Sequence, residues 1–306
     1  FRRYYRLADD NRRAVLMDAP PPNEAVGPYV AVARTLRALG LSAPEIFAED
    51  RARGFLLIED FGDDTYTRLL AGGADESALY RLAVDTLIAL QRAAAAAGLP
   101  DLPPYDEERL LGEAALLVDW YAPAVLGAPL PQPACEHYLA LWRSILPMAV
   151  LPPATLVLRD YHVDNLMLLP GRPGIQGCGL LDFQDAVLGP ASYDLVSLLE
   201  DARRDVSGGL RAAMTERYLA AFRGLDRALF RRSAAILAAQ RNSKIIGIFT
   251  RLAQRDGKPA YLAHLPRVWR LLEEDLRDPV LAPLAGWFDR LLPASARRIP
   301  LARSAA

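Results

Sequence analysis

The stretch Leu156-Val157-Leu158-Arg159-Asp160-Tyr161-His162-Val163-Asp164-Asn165-Leu166-Met167-Leu168-Leu169 sets a polar loop between two short apolar runs. A third run, Gly179-Leu180-Leu181-Asp182-Phe183, ends in an aspartate. Read as strands, these runs deliver Asp160, Asn165 and Asp182 to strand ends that face one loop. One carboxylate can then orient an attacking hydroxyl and accept its proton. An amide oxygen and a second carboxylate can hold Mg²⁺ on nucleotide phosphates. The Asp-x4-Asn spacing does not decide this alone, because Asp and Asn also favour ordinary turns. Asp18 and Asn23 stand equally far apart, across a proline run with no strand behind it. The flanking strands, Arg159 before the aspartate and Asp182 downstream tip the reading toward phosphoryl transfer.

Outward from that loop, composition narrows the classes. The chain has 306 residues, with 36 Lys and Arg against 37 Asp and Glu, so no net basic field exists to draw nucleic acid or anionic lipid. At 52% hydrophobic and 24% charged residues it reads as globular. The alanine run Ala93–Ala97 falls far short of the roughly 20 residues a membrane span needs. Cys135 and Cys178 give no disulfide framework, and no secretory signal opens the sequence, so a cytoplasmic protein is expected. No obligate protein partner is evident. The sequence opens at Phe1 without a methionine, and residues upstream of it are expected.

The first sixty residues read as a small strand-rich lobe. Phe1–Leu7 and Ala14–Met17 form a hairpin around the Asp9–Arg13 turn, and a helix over Tyr29–Leu39 stops at Gly40. Two more strands, Glu45–Ala48 and Phe55–Ile58, follow. After Gly62 the pattern is helical: Asp64–Leu70, Glu76–Ala97, Glu107–Tyr121 and Ala134–Pro147. Strands at Thr155–Leu158, Leu166–Leu169 and Gly179–Leu181 interrupt it. Helices over Tyr193–Arg203, Leu210–Phe222, Arg227–Ile248, Tyr261–Leu276 and Leu284–Leu292 complete the chain before a frayed tail. The expected domains are therefore residues 1–60 and residues 61–306.

Asp-x4-Asn followed by a strand ending in Asp-Phe is the arrangement of kinase catalytic loops and their metal-binding aspartate. The chain resembles the aminoglycoside phosphotransferase/choline kinase family nearly end to end. More narrowly, Phe1–Leu7, Met17–Pro20, Leu158–Met167, Gly179–Ala186 and Tyr193–Asp205 resemble bacterial anomeric kinases of N-acetylmuramate and N-acetylglucosamine in cell-wall recycling. The resemblance implies an α+β, protein-kinase-like bilobal fold, with a β-rich N-lobe and a larger, mainly helical C-lobe. It implies ATP and Mg²⁺ as cofactors, Asp160 as catalytic base, and Asn165 and Asp182 as metal ligands. Glu59, Asp60 and Phe61, ahead of Gly62, fall where the hinge holds adenine; the other reading is a plain strand-to-turn exit.

Further residues carry two readings each. Asp194 is either an acceptor that steadies the catalytic loop or a carboxylate on a helix N-terminus. His162 touches substrate or orders the loop by a hydrogen bond. Cys135 and Cys178 read as buried packing. Arg203 and Arg204 form a solvated helix face or bind a substrate carboxylate.

One departure from the family stands out. Kinase-like folds place a lysine on the third strand, paired with a helix glutamate, to hold phosphates. Here that strand reads Val15-Leu16-Met17, the helix after it has no acid, and the only lysines are Lys244 and Lys258. Arg3, Arg6 and Arg13 are the candidate replacements, and the nucleotide-covering loop is expected upstream of Phe1. An aminoglycoside- or choline-type kinase remains an alternative, as does a nucleotide-binding pseudokinase scaffold. A protein substrate is disfavoured, since no Ala-Pro-Glu element follows Asp182.

Overall fold

The computed structural model describes residues 2–9, 12–22, 24–98, 100–150 and 154–301. Phe1 of the first strand, Asp10 and Asn11 of its turn, Asn23, and the tail beyond residue 301 lie outside the described residues.

The chain begins with β1 (Arg3–Ala8), β2 (Arg13–Asp18), α1 (Val26–Ala38), β3 (Ile46–Asp50) and β4 (Phe55–Glu59). These strands form one sheet in the order β1-β2-β4-β3. Helix α1 starts at Val26 rather than Tyr29, because Pro28 falls in the first turn, where its missing N–H leaves no hydrogen bond unmade. Then come α2 (Tyr66–Ala71), α3 (Glu76–Ala97), α4 (Glu107–Leu116), α5 (Ala122–Leu126) and α6 (Gln132–Ile145). The three strands around the loop are β5 (Thr155–Val157), β6 (Leu166–Leu168) and β7 (Cys178–Leu180). A fourth, β8 (Val187–Gly189), pairs with β5 and was not expected from its short sequence. Five helices finish the chain: α7 (Ser192–Leu199), α8 (Gly208–Ala221), α9 (Arg227–Gln254), α10 (Leu265–Asp275) and α11 (Ala282–Leu291).

Two compact units result. The first combines Phe1–Pro103, Thr155–Leu188 and Gly208–Arg223; the second combines Pro104–Ala154, Gly189–Ser207 and Gly224–Ala306. A division at residue 60 follows the change from strands to helices. The packing units cut across it, since the loop bearing Asp160 belongs to the unit that holds the sheet.

In the first unit the sheet obeys the two-residue period of a strand. Met17, Leu56 and Ile58 are buried on one face, whereas Leu16 and Leu57 stay partly exposed on the other. Tyr4 pairs with Met17 and Arg6 with Val15, so Arg2, Tyr4 and Arg6 share the face of the buried residues. Arg3, Tyr5 and Leu7 point the opposite way. Helix α3 starts at an N-cap, Asp75, whose carboxylate accepts from the Ala78 N–H at 3.0 Å. Its Leu79, Tyr80, Ala83, Val84, Leu87 and Leu90 are buried at helical spacing. The helix packs against β5, β7, α8 and the Gly174–Gly177 turn.

The second unit is organised around α9, which at 28 residues is about 42 Å long. Helices α4, α7 and α10 pack on it. Gly247 is required there: a Cβ at that position would meet the Leu116 carbonyl carbon at 2.3 Å. Just beyond Leu116 the backbone widens into the π-helical turn Leu117–Tyr121, so the predicted helix Glu107–Tyr121 is interrupted at the crossing.

Candidate active site

The β6–β7 register builds the site. Leu166 pairs with Leu180, Met167 with Gly179 and Leu168 with Cys178, antiparallel. Asn165, just before β6, therefore lies opposite Leu181, and the Leu181 N–H donates to the Asn165 carbonyl at 2.9 Å. Asp182 is the next residue, so Asn165 and Asp182 reach one end of the hairpin by register alone. Both edges of the hairpin are held: Leu180 N–H donates to Ser42 at 2.8 Å and Leu168 N–H to Asp64 at 2.8 Å. Gly179 admits the Phe61 ring, since a Cβ there would come within 2.8 Å of it.

The loop between β5 and β6 is drawn tight around the Asp160 backbone. The Asp160 carbonyl accepts from the His162 N–H at 3.2 Å and from Asn165 Nδ2 at 3.0 Å. The Asn165 N–H donates to the His162 carbonyl at 2.9 Å. Tyr161 is buried and its hydroxyl donates to Ala83 on α3 at 2.7 Å, which bolts the loop to the helix. His162 is buried, with Nε2 3.4 Å from Asn165 Nδ2. The half-buried Asp160 carboxylate accepts no hydrogen bond among the described residues.

Arg159 and Asp182 are the non-glycine residues with positive φ among the described residues, at 69° and 54°. Such backbone costs of order 1 kcal/mol each and concentrates at functional sites. Asp182 is exposed; its Oδ1 accepts from Gln184 Nε2 at 3.0 Å and lies 3.7 Å from Arg2 Nη1. Phe183 is buried and packs on Tyr29 of α1, ring centroids 4.9 Å apart. Arg159 reaches the Asp185 carbonyl at 3.5 Å.

The other predicted residues disperse. Glu59 is ion-paired with Arg172, which also lies 5.1 Å over the Phe61 ring. Asp60 has a side chain only 4% exposed and is held by Arg6, Nε to Oδ2, at 2.7 Å. Arg6 also donates to Asp63 at 3.0 Å and to the Gly62 carbonyl at 3.0 Å, so Asp60, Gly62, Asp63 and Arg6 form one cluster. Arg3 has no ion pair or side-chain hydrogen bond among the described residues, and Arg13 lines a shallow hollow with Leu7, Phe47 and Leu57. Asp194, Arg203 and Arg204 belong to the second unit. Asp194 is fully buried in the first turn of α7, and Arg203 lies 5.8 Å over the Phe249 ring. Cys178 is packing as expected, with burial pushing its thiol up to about 11. Cys135 is half-buried instead of buried.

Sequence reasoning passed over Arg2 and Glu24. Arg2 Nε donates to Glu24 Oε2 at 3.0 Å while Nη1 faces Asp182. The strand alternation that puts Arg2 on the face of Arg6 was the available signal. The second unit also buries a polar network that no motif announced. Lys244 Nζ meets Glu113 at 2.9 Å, with both side chains 12% exposed. Asn242 Nδ2 bridges Glu200 at 3.0 Å and Asp275 at 2.9 Å.

Hard oxygen donors gathered at a hairpin end, beside an unengaged carboxylate on a braced loop, are the groups that phosphoryl transfer requires. The chain belongs to the phosphotransferase enzyme family, whose model matches residues 1–231. It is similar to the N-acetylmuramate/N-acetylglucosamine kinase of Caulobacter vibrioides, 41% identical over 89% of this chain and 77% of that protein. The proteins of the same name from Pseudomonas aeruginosa and Neisseria meningitidis serogroup B are 40% and 35% identical over 93% of this chain. They are covered over 83% and 85% of their own length. Among solved structures, an ADP-bound aminoglycoside phosphotransferase APH(2'')-Ib superposes with a TM-score of 0.56 at 18% identity, over 89% of this chain and 92% of that one. Choline kinase LicA from Streptococcus pneumoniae gives 0.55 at 11%, over 96% and 89%. These likenesses establish the α+β, protein-kinase-like fold.

Proposed function

We propose that the protein transfers the γ-phosphoryl group of ATP to the anomeric hydroxyl of N-acetylmuramate or N-acetylglucosamine, giving a sugar 1-phosphate in peptidoglycan recycling. The observation that carries this reading is the hairpin register that sets Asn165 beside Asp182, next to the free carboxylate of Asp160. The sugar class follows the names of the relatives that match most of the chain. Asp160 orients the sugar hydroxyl for in-line attack and takes its proton. The acetamido group, and in muramate the lactyl carboxylate, supply remote binding energy that positions that hydroxyl. Arg203 and Arg204 are the proposed carboxylate partners, and the backbone around Glu59–Phe61 the proposed adenine contact.

The donor set fits a magnesium ion. Asn165 spends its amide nitrogen on the Asp160 carbonyl, which leaves its oxygen to coordinate. Asp182 is engaged through Oδ1 and keeps Oδ2. Magnesium needs only one or two such protein ligands, with water and phosphates completing its shell. When bound, the ion neutralises charge on the transferring group.

Acceptor-dependent ADP release tests the proposal, measured with N-acetylmuramate, N-acetylglucosamine, kanamycin, choline and no acceptor. The reading expects the two sugars to give the highest kcat/KM. A higher value for kanamycin or choline overturns the sugar assignment. Nucleotide binding without turnover on any acceptor points to the scaffold alternative.

A further inference from the structure

The structure assigns the phosphate-holding role of the absent lysine to Arg2, a residue outside the three arginines expected from sequence. The inference rests on the proposed kinase reading, in which Asp182 carries the metal-bound nucleotide.

Three observations converge on Arg2. First, position: Arg2 stands one residue before β1, continuing the alternation that puts Tyr4 and Arg6 on one face, with Tyr4 opposite Met17, on the strand where kinase-like folds keep the lysine. Second, anchoring: Nε is held by Glu24 at 3.0 Å, and the two side chains are only 22% and 19% exposed. Glu24 thus plays the part of the missing helix acid from a position just before α1. Third, direction: Nη1 stands 3.7 Å from Asp182 Oδ1. That separation exceeds the 2.7–2.9 Å typical of a charge-assisted hydrogen bond, so the guanidinium is aimed at the metal-ligand carboxylate without closing on it. A phosphate oxygen shared between guanidinium and metal fits that arrangement, and a guanidinium can grip it with two donors.

The competing arginines are elsewhere. Arg6 is committed to Asp60, Asp63 and Gly62. Arg3 stands on the opposite face of β1, and Arg13 lines the hollow beside Phe47.

Calorimetry on the full chain with Mg²⁺ tests this, comparing adenosine, ADP and ATP. The parent should bind ATP more tightly than adenosine. Arg2→Ala should lose about 10–100-fold of its ATP affinity, the range of a lost charge-assisted pair, while its adenosine affinity is retained. Retained adenosine binding also reports that the variant folds. Arg2→Lys should recover part of the loss, and Glu24→Gln should fall between parent and Arg2→Ala. Arg2→Ala binding ATP within about twofold of a phosphate-sensitive parent overturns the assignment while leaving the kinase reading intact. A parent that binds ATP no better than adenosine overturns both.

Discussion

Two arginines, one in β1 and one just before it, use the same side chain differently. In β1, Arg6 closes on Asp60 at 2.7 Å, on Asp63 at 3.0 Å and on the Gly62 carbonyl at 3.0 Å. The Gly62 N–H returns a hydrogen bond to Asp60 at 2.9 Å. That cluster draws Arg6 onto two acids and a carbonyl, and it holds a turn. Just before β1, Arg2 is anchored by Glu24 and touches the Tyr4 hydroxyl, while a second acid, Asp182, is left at 3.7 Å. Four residues apart on the same face, one arginine is architecture and the other is poised for a ligand. Residue type does not separate these roles; how closely the guanidinium closes on its second acid does.

The largest break of this comparison comes at the base. Asp160→Asn should lower kcat by roughly 10²–10⁴-fold, the usual range for a general base, while calorimetric ATP affinity is kept. Turnover within a few-fold of the parent would show that Asp160 is not the base. Next in size are the metal ligands. Asp182→Ala and Asn165→Ala should each raise the Mg²⁺ concentration for half-maximal rate, by roughly tenfold or more, with Asp182→Ala the worse because it also loses charge. EDTA should abolish parental activity, and activity that survives it contradicts the metal assignment.

Arg6→Ala should then separate the two arginines. It leaves the Asp60 carboxylate buried without its partner, which costs about 2 kcal/mol and should lower Tm. Any loss of nucleotide affinity should fall equally on adenosine and ATP, unlike the phosphate-selective loss at Arg2. A phosphate-selective loss at Arg6 would reverse the roles. The smallest expected effect is at the brace under the loop. Tyr161→Phe removes the hydroxyl bonded to Ala83 and should cost about 1 kcal/mol in denaturant unfolding; no change would show the brace is idle.

Much of this was legible because local chemistry and periodicity agree. Glu76–Ala97 was bounded correctly, since Asp75 caps it and Gly98 follows at φ +84°. Asp160, Asn165 and Asp182 were legible as a group because apolar strands flank each one and their register does the rest. Arg2 was not, because its importance depends on Glu24 and Asp182, partners far from it in sequence. Strand β8 was hidden for the same reason: three residues carry too little pattern to announce a partner as distant as β5. The buried Lys244–Glu113 pair also comes from helices far apart in the chain, α4 and α9.

³¹P NMR of the product reads directly whether Asp160 acts on an anomeric hydroxyl. With ATP, Mg²⁺ and free N-acetylglucosamine or N-acetylmuramate, a new phosphate resonance coupled to the anomeric proton is expected. The matching 1-O-methyl glycoside has no such hydroxyl and should leave ATP unconsumed. A methyl glycoside phosphorylated as readily as the free sugar would contradict the claim and move the acceptor to another carbon.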